Sequence, residues 1–536
     1  MCNQTRRYQP RSSLFDAKSK TYCVPPHLYI GFQPPNLSQF APEDALKSGT
    51  LWKPFYDSYC NYRGTPKKSI PAWHLGRAQM MLPYEFSVNP PDARKQEKSA
   101  PHFLMPDQGM LPESAYQLIH DKVAQDGNAH LNLATFVTTW MDPSANRLYV
   151  ESANKNLIDK DEYPQTTAIE EECVRILADL WHSPNPHKTI GVSTTGSSEA
   201  CMLGGLALKR RWQNTRKKQK KTIDRPNIVF SSAVQVVWKK FANYWDVEPR
   251  YVNITKEQPF MDPASVLTAV DENTIGVVPT LGVTYTGLYE PVSAISKALD
   301  ELQSRTGLDI PIHVDAASGG FVAPFLQPNL VWDFQLSRVK SINTSGHKYG
   351  LVYPGIGWII WREPEDLPED LIFRVSYLGG NMVTVGLNFS RPSAQVLLQY
   401  FNFLHLGRKG YHEVHTASQA VAQFLSKAIR DMEPFELFTD GSDIPVISWR
   451  LKEDHPLKWN LYDLSRQLRT FGWQVPAYPL PPSMENVTVM RVVIRNGFSM
   501  DLAQFFIMNL IQAVSLLDSL PEPISYDTKY DSSFHH

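Results

Sequence analysis

The sequence predicts an α/β protein: a large domain built on a mostly parallel sheet, followed by a smaller α/β domain. Three observations carry this. Between residues 167 and 361, short apolar runs alternate with amphipathic stretches at helical spacing, the pattern of strands joined by crossover helices. A Gly196-Ser197-Ser198 turn leads one such run directly into a strong helix. After about residue 391, a long helical stretch, further strand-like runs and a last helix form a separate, shorter pattern.

Taken in order, residues 1–105 are rich in Pro, Ser and basic residues, and Pro25-Pro26, Pro34-Pro35 and Pro90-Pro91 interrupt any helix. This reads as an irregular extension, either passive or a docking segment. From Met110 the texture changes. Residues 112–119 have helical spacing, Asp126-Gly127-Asn128 breaks it, and the polar stretch 154–159 reads as a site-building loop within an N-terminal segment, 106–165. The large domain, 166–391, starts with a helix over 167–181, whose apolar positions include Ile169, Val174, Leu177 and Leu180. A short strand from Ile190 and a helix over 199–212 follow. Strands are expected at 227–230, 274–279, 310–314, 338–343 and 357–361, with helices at 234–244 and 291–304. The small domain, 392–536, shows helices at 392–406 and 411–430, a strand at 444–451, a helix at 461–470, an edge-type strand at 487–494, a helix at 501–517 and a short tail.

Composition narrows the function classes. The chain of 536 residues is 42% hydrophobic, with a formal net charge of −1. Neither nucleic acid nor a membrane surface is indicated as a partner. The basic run from Lys209 to Lys221 reads as a solvated helix end. No apolar run reaches the roughly 18 residues of a membrane span. The five cysteines lie far apart without a C-x-x-C spacing, so no metal site is expected, and a reducing, cytoplasmic setting fits.

The chemistry concentrates at two strand ends. The strand Ile312-His313-Val314 runs into Asp315-Ala316-Ala317, and about 30 residues later another runs into Ser345-Gly346-His347-Lys348. A strand-end Asp and a strand-end Lys are what a pyridoxal phosphate site needs. The Lys amine bonds the cofactor aldehyde, and the Asp holds the proton on the ring nitrogen. Helix N-termini bind phosphate, so Ser197 and Ser198 are candidate phosphate ligands, although an ordinary N-cap also explains Ser197. Ser345 and His347 can reach the same phosphate. Ala317, read as sharing a strand face with Asp315, is small enough to pack against a ring. His313 shares that face, as support for Asp315 or as a core histidine.

These motifs, with Trp245-Asp246-Val247-Glu248, Tyr377-Leu378-Gly379-Gly380 and Asn388-Phe389-Ser390-Arg391-Pro392, resemble the glutamate decarboxylase family in its bacterial, plant and fungal branch, over about residues 106–536. The resemblance implies the fold type I of pyridoxal phosphate enzymes and decarboxylation of L-glutamate to 4-aminobutyrate. It implies that Ser197, Ser198, Ser345 and His347 bind the phosphate and that Ser390 reaches the phosphate of a neighbouring subunit. The minimal active unit would be a homodimer, which can assemble into a hexamer. Thr284 would lie near the ring hydroxyl, and Gln235 would stack opposite Ala317. Thr135, Phe136, Asn156 and Asp159 would take the distal carboxylate, and Arg491 the α-carboxylate. A carboxylate beside Asp159 requires one of the two to carry a proton, which favours a mildly acidic working pH. Tyr377 and Lys348 are both candidates for returning a proton to Cα. Nothing after Leu520 resembles the calmodulin-binding helix of the plant relatives, so calmodulin is not an expected partner. A decarboxylase of aspartate or cysteine sulfinate, and a non-catalytic scaffold of the same fold, are the competing readings.

Overall fold

The computed structural model describes residues 105–376, 382–453 and 458–521. The extension up to residue 104, the segment with Tyr377, and the tail with His535 and His536 lie outside the described residues. The fold described is that of the unit from Met110 onward.

Its centre is a seven-stranded sheet of β1 (Ile190–Thr194), β2 (Asn227–Ser231), β3 (Glu248–Val252), β4 (Thr274–Val278), β5 (Ile312–Asp315), β6 (Val339–Thr344) and β7 (Gly357–Trp361), in the order β1-β7-β6-β5-β4-β2-β3. Only β7 runs against its neighbours; the other pairings are parallel. Strands β2, β4, β5 and β7 are buried along their whole length, which is why they read as continuous apolar runs rather than alternating ones. Strand β3 was not foreseen. Its Glu-Pro-Arg-Tyr-Val run is mostly exposed and carries a proline, which only an edge strand tolerates.

Helices α1 (Pro112–Val123), α2 (Pro143–Ser152), α3 (Pro164–Leu180), α4 (Ser197–Lys218), α5 (Val236–Tyr244), α6 (Pro263–Ala269) and α7 (Val292–Thr306) precede, connect or flank the strands. A proline opens α3 three residues before the periodicity indicates, because its missing N–H is no loss at the first helical position. The basic run from Lys209 forms the last turns of α4, where cations complement the helix dipole. Helix α4 presses directly on β5. A Cβ at Gly204 would come within 2.4 Å of His313 Cε1, so only glycine permits this approach.

The hairpin strands β8 (Phe373–Val375) and β9 (Met382–Thr384) flank the undescribed segment. Helix α8 (Ala394–Arg430) is interrupted at Gly407, with φ +59°, which matches the expected break between two helices. A second sheet of β10 (Phe435–Asp440), β11 (Val446–Leu451), β12 (Ala477–Pro479) and β13 (Thr488–Val493) is antiparallel, in the order β10-β11-β13-β12. Strand β13 is therefore interior, correcting the edge expected for 487–494. Short β12, with its terminal proline, takes the edge instead. Helices α9 (Leu461–Thr470) and α10 (Met500–Asp518) cover this sheet around Trp449 and Trp473. Helix α10 is long and apolar enough to cross a membrane, contrary to the sequence reading. Yet Ala503, Phe506, Leu510, Ala513 and Leu517 pack into the second core, which accounts for that composition.

Candidate active site

The C-terminal ends of the parallel strands meet at one edge of the large sheet, where α/β folds bind ligands. They enclose a cavity of about 360 Å³. Nine residues singled out from sequence line it: Ser197, Ser198, Gln235, Thr284, Asp315, Ala317, Ser345, His347 and Lys348.

One end is built for an anion. Helix α4 has Gly196 at its N-cap and no side chain capping it, so Ser197 is the first helical residue and not an N-cap. The first-turn N–H groups are left to a ligand. Ser345 Oγ lies 2.7 Å from Ser197 Oγ. His347 Nδ1 accepts the Ile356 N–H at 3.4 Å, which leaves Nε2–H as the ring's donor. Burial and the adjacent Lys348 charge lower the His347 pKa to about 4, so this donor is neutral at pH 7. Glu199 faces the same turn but accepts from Thr195 N and Oγ and from Asn388 N and Nδ2, which occupies its carboxylate.

The opposite end is Asp315, buried at the end of β5. Oδ1 accepts from Asn343 Nδ2 at 3.0 Å and from the Ala317 N–H at 3.2 Å. Oδ2 accepts from Trp238 Nε1 at 2.9 Å, and the Cys201 thiol lies 3.7 Å away. Strand β5 stops at Asp315, so Ala317 does not share its strand face; it sits in the following turn and reaches Asp315 through its backbone. His313 does not touch Asp315 directly either. Its nitrogens meet Ser341 and Asn343.

Lys348 stands between the two ends, with Nζ 3.3 Å from Ser318 Oγ. Burial lowers its pKa first and Arg491 adds to this, while Asp315 and Cys201 oppose it. The net effect raises the fraction of free amine. Phe136 covers the lysine, with its ring centroid 5.1 Å from Nζ and 4.7 Å from the Arg491 guanidinium. Arg491 is buried and donates to the backbone carbonyls of Ala134 and Thr284. Among the described residues it pairs with no carboxylate, and it is buried rather than on the surface. Thr135, beside Phe136, turns its hydroxyl to the Val137 N–H. Gln235 lines the pocket while its Oε1 caps α5 at the Val237 N–H, 2.6 Å away.

Three expected residues form a separate cluster outside the lining of this cavity. Asn156 Nδ2 lies 3.3 Å from Ser390 Oγ and 3.4 Å from Asp159 Oδ1, and Asn156 Oδ1 accepts the Arg391 N–H. Asn343, Trp238, Cys201, Thr280 and Ser318 also surround the cavity or its acid and were missed. All are ordinary residues in apolar or turn contexts; only their position after strand ends marks Thr280 and Ser318.

The donor set suits pyridoxal phosphate. A free helix N-terminus with three hydroxyls and a neutral imidazole suits its phosphate. A carboxylate facing only donors suits its ring nitrogen, and a partly desolvated amine suits its aldehyde. Thr280 Oγ1, buried in the same wall, has no partner among the described residues and is open to a ligand.

The chain matches the family model described as the pyridoxal-dependent decarboxylase conserved domain over residues 101–452. Residues 24–59, in the undescribed extension, match the model of spore coat associated protein JA. The glutamate decarboxylase of Aliivibrio fischeri is 52% identical over 82% of this chain and 94% of its own length. Glutamate decarboxylase beta of Listeria monocytogenes is 47% identical over 79% and 92%. The solved Lactobacillus brevis glutamate decarboxylase superposes with a TM-score of 0.77 at 43% identity, over 80% of this chain and 97% of that one. A rice enzyme solved with PLP and tryptamine shares the fold alone, with a TM-score of 0.66 at 15% identity. With the site geometry, these matches establish that the chain belongs to the pyridoxal-dependent decarboxylase family.

Proposed function

We infer that the chain decarboxylates L-glutamate to 4-aminobutyrate and carbon dioxide with pyridoxal phosphate. The observation that carries the substrate is the 52% identity to a glutamate decarboxylase across nearly that protein's whole length. Stoichiometric carbon dioxide and 4-aminobutyrate from L-glutamate test it; release from aspartate or cysteine sulfinate but not from glutamate contradicts it.

When bound, the cofactor supplies an aldehyde that takes up an amine and a protonated ring that withdraws electrons from Cα. The residues supply position and protons. With the cofactor bound, Asp315 would hold the proton at the ring nitrogen; Ser197, Ser198, Ser345 and His347 would hold the phosphate, Thr284 would serve the ring hydroxyl, and Ala317 and Gln235 would flank the ring faces. Arg491 orients the α-carboxylate, and Phe136 shields Lys348 Nζ from water, where low dielectric strengthens each charge contact. Lys348 Nζ or Tyr377 returns a proton to Cα.

The cluster of Asn156, Asp159 and Ser390 is read as serving the neighbouring subunit. Ser390 would meet that subunit's phosphate, and Asn156 and Asp159, bonded to it here, would come with it to the distal carboxylate, beside the partner's Thr135 and Phe136. Mixing a Lys348→Ala chain with a Ser390→Glu chain, each inactive alone, would then give hybrids with one intact site. Random 1:1 reassociation should restore about a quarter of wild-type activity. A mixture as inactive as its parents contradicts the shared site.

Asp159 meeting the substrate's distal carboxylate needs one proton between them. Turnover at fixed subsaturating glutamate should fall at least about tenfold from pH ~5 to pH ~8, and Asp159→Asn should flatten that slope. An equally flat wild-type profile contradicts this role.

A further inference from the structure

Asn343 lies on β6 with its side chain wholly buried, and it touches both ends of the cofactor cavity. Its amide carries two hydrogens. One points to Asp315 Oδ1 at 3.0 Å, the other to Ser197 Oγ at 3.3 Å. Its carbonyl oxygen lies 2.7 Å from His313 Nε2. A carbonyl only accepts, so Nε2 carries the ring proton. The other ring nitrogen, Nδ1, lies 2.7 Å from Ser341 Oγ and accepts the hydroxyl proton. His313 and Ser341 are as buried as Asn343. Burial lowers the His313 pKa to about 4, more than its Asn343 bond and the Asp315 charge raise it, so the ring is neutral at pH 7.

The order of these groups fixes the amide. Turned over, Asn343 would set its carbonyl against the Asp315 carboxylate and its N–H against the N–H of His313. Both contacts are repulsive, and buried mismatches of this kind are costly. Gly204 belongs to the same arrangement, because the α4 backbone lies directly on the imidazole.

We propose that Asn343 is a positioning residue of the cofactor site, its amide oriented by the His313 ring, tying the carboxylate at the ring-nitrogen end to Ser197 at the phosphate end. Ser341, His313 and Asn343 form a chain that ends on Asp315; of the three, the strand pattern singles out only His313. The proposal rests on the reading of this cavity as the pyridoxal phosphate site.

The test is cofactor affinity, measured by titrating pyridoxal phosphate into the apoprotein and following protein fluorescence. Asn343→Asp keeps the size but sets a second carboxylate against Asp315, and it should raise the dissociation constant about 30-fold or more. His313→Leu removes the orienting N–H and should raise it about tenfold. His313→Gln, whose amide N–H can stand in for Nε2–H, should restore affinity to within about threefold of wild type. Asn343→Asp binding within threefold of wild type, or His313→Gln no better than His313→Leu, overturns the proposal. Wild-type apoprotein that binds no pyridoxal phosphate would overturn the reading of the cavity itself, a distinct failure. A measurement without these core changes comes from nitrogen-labelled histidine in wild-type apoprotein. His313 should appear as the Nε2–H tautomer from pH ~5.5 to pH ~8. An Nδ1–H tautomer or an imidazolium in that range contradicts the proposal.

Discussion

Replacing Lys348 with alanine is expected to lower turnover of L-glutamate at least about a thousandfold, about 4 kcal/mol on the barrier. Among the described residues, the lysine is the only amine lining the cavity. Burial lowers its pKa, more than Asp315 and Cys201 raise it, so it holds more free amine at a given pH than an exposed lysine. Removing it takes away the group that bonds the cofactor aldehyde and a candidate proton carrier together. The cavity walls do not depend on it. Ser345 bonds Ser197, and Thr138 holds the backbone carbonyl of residue 348 at 2.7 Å, a bond alanine keeps. The variant should therefore fold and still bind the phosphate end. Rate assays with 14C-labelled glutamate, paired with the visible spectrum of the bound cofactor, separate loss of chemistry from loss of binding. Activity within about tenfold of wild type contradicts the role assigned to Lys348.

Replacing Asp315 with asparagine is the second large effect, also expected at about a thousandfold in turnover. Asparagine matches the shape but cannot offer an anion to the ring N–H. It also brings an NH2 group to a place where Asn343, Trp238 and the Ala317 N–H all donate. Whichever way its amide turns, one of those buried donors meets another donor. Cofactor affinity should fall about a hundredfold, the scale of truncating one partner of a buried, hydrogen-bonded charge pair. Asp315→Glu keeps the charge and should recover part of the affinity at the expense of packing. Equal cofactor affinity in Asp315→Asn and wild type contradicts the pairing.

The two residues were legible in the sequence for the same reason. Each stands at the end of a strand: Asp315 follows the mostly apolar run 310–314, and Lys348 closes the small, polar Ser345-Gly346-His347 turn after a strand-like run, off any charged helix face. Ser197 and Ser198 were legible because a glycine joins strand to helix there. The large sheet showed itself through β2, β4, β5 and β7, which are buried on both faces. The edge strands β3 and β12 did not: both carry prolines and exposed residues and resemble loops. Asn509 breaks the apolar run of the last helix in sequence, and only the fold shows its side chain bonding Trp473 inside the core. Asn343 stayed hidden because its role comes from His313 and Asp315 on the adjacent strand, a register set by sheet pairing. Asn156 and Ser390 lie far apart in sequence, and only the fold brings them within 3.3 Å of each other. For that pair, the family motifs supplied what periodicity could not.

The most direct test of the site is chemical. Holoenzyme reduced with borohydride and digested should yield one modified peptide, carrying the cofactor's mass on Lys348. Modification at another lysine, or none, would contradict the placement of the cofactor between Asp315 and the N-terminus of α4.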